Sequence, residues 1–511
     1  MSRQIRIASL IWGASLLLSR VIGLVREAVF GRVLGTSEQA DVYLAAFPFA
    51  DFLNYLLAAG ALSIVFIPIF GGYLARGEED QGWQAFSVIS TFIATLILAA
   101  TAAMWVAAPW LVPQVVPGFT GEAGELLVRI VRIIVPAQIF HVLGGLLSAT
   151  LQARDRHTLP ALAPLIYTAG IIVGGLALGT AEGFAWGVLA GSALGPFLLP
   201  LIGCARAGMR FSPTLNWRHP DLKRYLWLSL PIMLGLSIVV VDDWIITWYA
   251  STMEEGTLAV LRYAKNLMRV PMGVFGLATG VAAYPTISRM VGRGEHGAAF
   301  ETLSGAVRAM LVLAFGAQVV FTVAGAEISQ VLYGARIPAE DHQLIGQALA
   351  ILCVGLWAWA AQTVVARGFY ARGETWVPTL AGTGAALLTF PLYGVLAAEL
   401  GPLGLPIATT LAITLYVLAL VLLLRKRHPG HADGYGAFAL RVVPVAALSI
   451  GVGVALDRAL ALPHPLLQGG VTGGLSGLLY LGGVLALRVP EARLVLDKIV
   501  GRLRRRRGGG G

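Results

Sequence analysis

Long apolar runs, each closed by a cluster of glycine, proline or charge, follow one another along almost the whole chain. They fall at about 7–34, 39–75, 84–112, 124–150, 159–179 and 184–206, then at about 222–251, 258–291, 302–333, 341–371, 376–399 and 403–424, and finally near 436–457 and 466–488. Runs of roughly 20 to 25 apolar residues are what a helix needs to cross a bilayer. The pattern therefore predicts an all-α polytopic membrane protein with about fourteen transmembrane helices. Membrane β-barrels would instead show segments of about ten residues with alternating hydrophobicity, which this sequence lacks. The first run begins after Arg3 and Arg6, as a secretory signal does. Arg20, Arg26 and Glu27 then interrupt it and no small-residue cleavage site follows, so a retained first helix is expected.

The runs repeat. Pro68 is followed by Arg76-Gly77-Glu78, and Pro285 by Arg293-Gly294-Glu295, at an offset of 217 residues. Ala153-Arg154 with Pro160 and Leu162 recurs as Ala371-Arg372 with Pro378 and Leu380, at an offset of 218. Six predicted spans lie in each period, so both halves enter the membrane in the same direction, the parallel-repeat plan of many transporters. The expected organisation is two pseudo-symmetric six-helix lobes around a central cavity, residues 1–210 and 211–430. Two additional transmembrane helices at 431–490 and a basic, glycine-rich cytoplasmic tail at 491–511 complete it.

Composition agrees with a lipid solvent. Of 511 residues, 57% are hydrophobic and 13% charged, with a mean hydropathy of +0.77, against about 25% charged in soluble domains. The short loops leave no room for a soluble domain or a catalytic one. The net charge of +10 sits at helix ends rather than on a polar face, which argues against nucleic acid. One set of loops collects Arg76, Arg154, Arg156, Arg206, Arg289, Arg293, Arg372 and Arg425, with Arg502 and Arg504 through Arg507 in the tail. The opposite loops hold Arg336 and Arg458 beside Glu122, Glu254 and Glu255. By the positive-inside rule both termini are cytoplasmic, and the tail is expected on anionic headgroups. Cys204 and Cys353 show neither metal-ligand nor redox spacing and read as packing residues.

Candidate chemistry comes from ionisable residues inside the spans, where each costs at least a few kcal/mol and so marks a site. Arg20 lies fourteen residues past Arg6, roughly 21 Å along a helix and near mid-bilayer. Arg20, Gly23, Glu27 and Gly31 share one stripe, and Arg26 projects about a third of a turn away. Guanidinium groups bind phosphate through paired, charge-assisted hydrogen bonds, so Arg20 and Arg26 suit a diphosphate; the plainer reading pairs Arg20 with Glu27 or Asp41. Asp41 either joins the site or caps a helix. Asp242-Asp243, midway along the seventh span, could carry protons, hold a cation, or pair with Lys265 or Arg262, with Thr389 and Thr409 as further oxygen ligands. Arg262, Lys265 and Arg269 share a face at the start of the eighth span, serving either the substrate or external headgroups. No nucleophile triad, phosphate-binding glycine loop or metal signature is seen. No catalytic residue, metal or cofactor is therefore expected, and transport would draw on membrane potential, protons, a monovalent cation or substrate supply.

These residues resemble the MurJ (MviN) family of lipid II flippases, within the superfamily of multidrug and polysaccharide exporters. The carrying segments are Ser19-Arg20-Val21-Ile22-Gly23 through Arg26-Glu27-Ala28, Ala40-Asp41, Gly60-Ala61-Leu62-Ser63 through Phe66-Ile67-Pro68, Ala107-Ala108-Pro109-Trp110, Pro117-Gly118-Phe119, Pro160 with Pro164, and Gly368-Phe369-Tyr370-Ala371-Arg372. The resemblance implies alternating access in the bacterial inner membrane, with the lipid II diphosphate held by first-lobe arginines and the precursor carried to the outer leaflet; Arg20, Arg26 and Asp41 match positions that matter in the family. A monomer is expected. The chain departs from the family pattern at Asn54 and Asn266, where arginine is usual, and at Ala59, where glutamate is usual. These departures keep alternatives open: another polyprenyl-diphosphate glycan, an amphipathic cation, or a scaffold that no longer transports.

Overall fold

The computed structural model describes residues 3–494 and 496, except 57–60, 235–237, 371, 373, 375 and 428–433. Ala59, Gly60, Ala371 and residues 497–511 of the basic tail lie outside the described residues. The chain divides into two compact units: Met1–Leu236 with Ala250–Ala259 and Tyr333–Arg336, and Ser237–Tyr249 with Val260–Leu332 and Ile337–Gly511.

The protein is nearly all helical. Its first half contains α1 (Arg3–Leu34), α2 (Glu38–Ala45), α3 (Phe47–Leu56), α4 (Ala61–Arg76), α5 (Glu79–Val115), α6 (Gly121–Ile134), α7 (Ala137–Ala153), α8 (Thr158–Leu178), α9 (Ala181–Ser192), α10 (Leu199–Arg206) and α11 (Pro220–Leu234). There follow α12 (Ile238–Ser251), α13 (Thr257–Gly292), α14 (His296–Val323), α15 (Gly325–Tyr333), α16 (Ala339–Val354), α17 (Leu356–Tyr370), α18 (Trp376–Leu400), α19 (Gly404–Arg427), α20 (Tyr435–Ala459) and α21 (Pro465–Ala486). Among the described residues, eight helical stretches are long and apolar enough to cross a membrane, or nine when α16 and α17, bent by 42°, count as one. Several predicted runs are thus broken helices. In the run at 39–75 the helix is interrupted between α2 and α3, and α6 and α7 are separated at Val135-Pro136, where proline removes the donor a continuous helix needs. A π-turn at Ala193–Leu198, containing Pro196, joins α9 to α10.

The matched sequence segments end their helices alike. At the end of α4, the Gly77 amide donates to the Leu74 carbonyl (3.1 Å) and the Glu78 amide to that of Tyr73 (3.0 Å). At the end of α13, Gly294 donates to Val291 and Glu295 to Met290, both at 3.0 Å. Gly77 and Gly294 adopt φ of +73° and +79°, the left-handed cap that favours glycine. After α7, the Arg154 and Arg156 amides converge on the Leu151 carbonyl; after α17, those of Arg372 and Glu374 converge on Phe369.

In the first unit, Phe66 and Phe70 of α4 interlock with Trp83, Phe86 and Ile89 of α5 and Val142 and Leu146 of α7. Phe70 and Trp83 meet edge to face at 5.1 Å. The α8–α9 hairpin closes on glycine: a Cβ on Gly170 would lie 2.6 Å from the Gly191 Cα, and one on Gly174 2.7 Å from the Gly187 Cα. Such small-residue seams let helices approach where lipid offers no hydrophobic drive. Outward, Leu387, Leu388, Leu440 and Leu478 are at least 66% exposed, as side chains facing lipid would be.

Candidate functional site

Two of the charge groups fall at the residues singled out by the sequence, one in each unit. In the first, the described side chains of α1 are packed most tightly toward its C-terminal end. Phe30 packs at 5.2 Å against both Tyr43 of α2 and Phe184 of α9, and a Cβ at Gly31 would lie 2.8 Å from the Tyr333 Cβ. Gly23, on the same stripe, meets nothing within 4 Å. Toward the N-terminal end Leu18, Val21, Leu24 and Val25 are all exposed. Arg20 is exposed in this stretch and makes no ion pair or hydrogen bond with any described residue. Arg26, one-third exposed, pairs with its neighbour Glu27, its Nε donating to Oε1 at 3.1 Å. Arg20 therefore does not pair with Glu27.

Nor does it pair with Asp41. That carboxylate is 3% exposed and accepts from the Gly256 amide at 2.8 Å and the Ala259 amide at 2.7 Å. Both amides stand at the start of α13, in the part of it that belongs to the first unit. Asp41 caps the open N-terminus of a different helix, and Glu255 reciprocates by accepting from the Glu38 amide at 2.8 Å.

In the second unit, Asp242 and Asp243 are enclosed by basic and hydroxyl groups. Lys265, 3% exposed, pairs with Asp242 Oδ2 and donates to Asp243 Oδ1 at 2.6 Å. Arg262 stands 3.4 Å from Asp243 Oδ1, and Arg269 donates to Oδ2 at 2.8 Å. Asp242 Oδ1 accepts from Tyr393 and, at 2.8 Å, from Thr409. Tyr393 and Thr409 belong to α18 and α19, sixteen residues apart in sequence, and can share one oxygen only because the chain reverses at Gly401–Leu403. Trp359 lies 5.6 Å from the Lys265 ammonium. Each of the four carboxylate oxygens already accepts at least one bond, with three cations set against two anions. Thr389 is not drawn in; its hydroxyl donates to the Ala385 carbonyl of its own helix at 2.8 Å. Among the described residues, no group of three or more His, Cys, Asp or Glu is placed to hold a metal.

The sequence reading missed Tyr393 and Trp359, and it passed over Arg129 and Arg132 inside the fourth run. A buried tyrosine hydroxyl needs a partner, which was the available signal for Tyr393. Arg129 pairs with Glu182 at 2.9 Å. Arg132 donates from Nε to the Trp105 carbonyl at 3.1 Å and lies 4.5 Å from the centre of that indole ring. This carbonyl is the one that Pro109, four residues on, leaves without its helical partner.

Broken apolar helices with charge buried among them are the build of a polytopic transporter, and solved structures share the fold. The chain superimposes with a TM-score of 0.77 on a lipid II flippase MurJ in an inward closed conformation, at 20% identity, covering 94% of this chain and 99% of that one. An inward-facing multidrug transporter of the MATE family gives 0.67 at 18% identity, over 80% of this chain and 94% of that one. The family model described as Lipid II flippase MurJ matches residues 30–462. A Rhizobium tropici protein named probable lipid II flippase MurJ is 28% identical over 495 residues, 94% of this chain and 91% of its own. The chain belongs to the MurJ family of lipid II flippases, and it is a multi-pass inner-membrane transporter rather than an enzyme.

Proposed function

We propose that this chain carries lipid II, the undecaprenyl-diphosphate-linked peptidoglycan precursor, from the cytoplasmic to the outer leaflet, with Arg20 and Arg26 engaging the diphosphate. The observation that carries this reading is Arg20, an exposed guanidinium near the middle of a 32-residue helix with no partner among the described residues. A cation at that depth costs a few kcal/mol unless water or an anion meets it, and a diphosphate supplies the anion. Arg26 is held in a ready rotamer by Glu27 and can transfer its fork to the stronger acceptor. The second-unit cluster, closed on itself, serves as a fixed structural element and binds neither substrate nor an exchangeable cation. Both termini are assigned to the cytoplasm, the basic tail to anionic headgroups, and the working unit to the monomer.

The test is complementation of a bacterium depleted of its own lipid II flippase, with membrane insertion verified. Rescue that disappears with Arg26→Ala supports the reading. Equal rescue by that variant at equal membrane level removes the diphosphate clamp. A second reading, another polyprenyl-diphosphate glycan, is favoured by Asn54 and Asn266 standing where the family usually has arginine; failure of the well-inserted wild type to rescue would select it.

A further inference from the structure

A recess of about 300 Å³ opens between α14, α20 and the segment that follows α21. Arg308, Gly434, Ala437, Phe438, Arg441, Val489, Pro490 and Glu491 line it. Its floor is built by a chain reversal. The Arg488 amide donates to the Leu485 carbonyl and that of Val489 to Val484, both at 3.0 Å, and Arg488 takes φ of +53°. Val489 and Ala492 are thereby tucked in at 1% exposure, and Glu491 is placed to accept from Arg308 Nε at 2.6 Å. The Arg308 guanidinium crosses directly over Gly434, whose Cβ, if it had one, would lie 2.7 Å from Nη1.

Two guanidinium groups line the recess against one carboxylate, and that carboxylate is already engaged by Arg308. Arg441 is exposed and makes no ion pair with any described residue. Arg488 and Arg493, both exposed, flank Glu491 in sequence. The remaining wall is apolar. Immediately beside the recess, Leu440, Leu487 and Leu494 are 80%, 49% and 57% exposed. A ligand suited to this surface carries an anionic group at one end and hydrocarbon at the other. The volume is at the lower limit for small-molecule pockets, too small for a glycan on a diphosphate. The charge-free stretch of α14 begins directly after Arg308, and Arg441 stands six residues into α20, the positions at which basic side chains of spanning helices meet the headgroup layer.

We propose that this recess holds the phosphodiester headgroup of an anionic phospholipid, with Arg441 as its principal contact and the acyl chains lying along the neighbouring leucines. Basic pockets between membrane helices recognise lipid headgroups in this way. The site uses none of the residues assigned to lipid II, so it stands or falls independently of the transport reading.

Native mass spectrometry of the full-length protein, titrated with phosphatidylglycerol and with phosphatidylcholine of the same acyl chains, tests it. The wild type should retain phosphatidylglycerol at least about fivefold better, the factor expected for one basic residue at an anionic surface. Arg441→Ala should bring the two lipids to parity, Arg441→Lys should keep most of the preference, and Arg458→Ala, at the far end of α20, should change nothing. Unfolding temperatures measured alongside separate lost binding from lost fold. No lipid preference in the wild type, or undiminished preference in Arg441→Ala, overturns the proposal. Displacement of the lipid by millimolar inorganic phosphate also overturns it, assigning the recess to soluble phosphate.

Discussion

Arg26 and Asp243 stand 217 residues apart, the offset at which the caps of α4 and α13 repeat. The first position carries a cation and the second an anion, and their surroundings differ. On α1 the charge is left half-open, with a single neighbouring carboxylate for company and Arg20 bare a turn and a half away. On α12 the charge is closed in by Lys265, Arg262 and Arg269, while Tyr393 and Thr409 secure the adjacent Asp242. A half-open charge can exchange partners during a transport cycle; a saturated one holds helices in place. Polar density alone does not identify a binding site in a membrane; vacancy of hydrogen-bonding capacity does.

The contrast can be broken most severely on α1. Arg26→Ala should reduce transport of a fluorescent lipid II analogue in proteoliposomes by ten- to a hundredfold, the loss of one charged hydrogen-bonding partner of about 1.5–3 kcal/mol, with unfolding temperature unchanged. The reverse holds for the second unit. Lys265→Met leaves the buried Asp242 carboxylate without its cation and should destabilise the fold by about 3–5 kcal/mol, read as a clear drop in unfolding temperature. Adding Asp242→Asn to it should restore part of that drop; if the double variant is no more stable than the single, the cluster is not the closed ion network described. Asp41→Ala removes the acceptor for two buried amides and should cost about 1–2 kcal/mol, whereas Asp41→Asn should cost less. Tyr393→Phe deletes one of several donors to Asp242 and should cost about 1 kcal/mol. A fall in transport without a fall in stability in that variant would move the cluster from support to function.

The apolar, all-helical build was legible because hydropathy averages over a whole helix, and the matching caps because Gly77 and Gly294 are needed for a backbone conformation few other residues tolerate. The breaks were harder to see: Pro48, Pro136 and Gly355 lie in stretches whose neighbours stay apolar, so the hydropathy runs on through them. The charges themselves were found by the cost of burying them. Their partners were not, because which group meets Asp242 depends on how α18 folds back into α19, a tertiary fact. That is why Lys265 and Thr409 prove to be neighbours of the acid pair while Thr389, equally placed in sequence, bonds its own helix. Asp41 shows the same limit, since the helix it caps begins some 215 residues downstream.

The contact between Arg132 and the Trp105 carbonyl joins two features that a membrane helix would ordinarily reject. Pro109 leaves an acceptor within an apolar helix without its backbone donor, and Arg132 brings a charge to it. The dependence runs mainly one way: neutralising 132 would leave the carbonyl without a donor, whereas an amide restored at 109 would still leave it a second lone pair for Arg132. Loss of the charge at 132 should therefore be better tolerated where 109 is no longer proline, a constraint set by hydrogen bonding rather than by any part in transport.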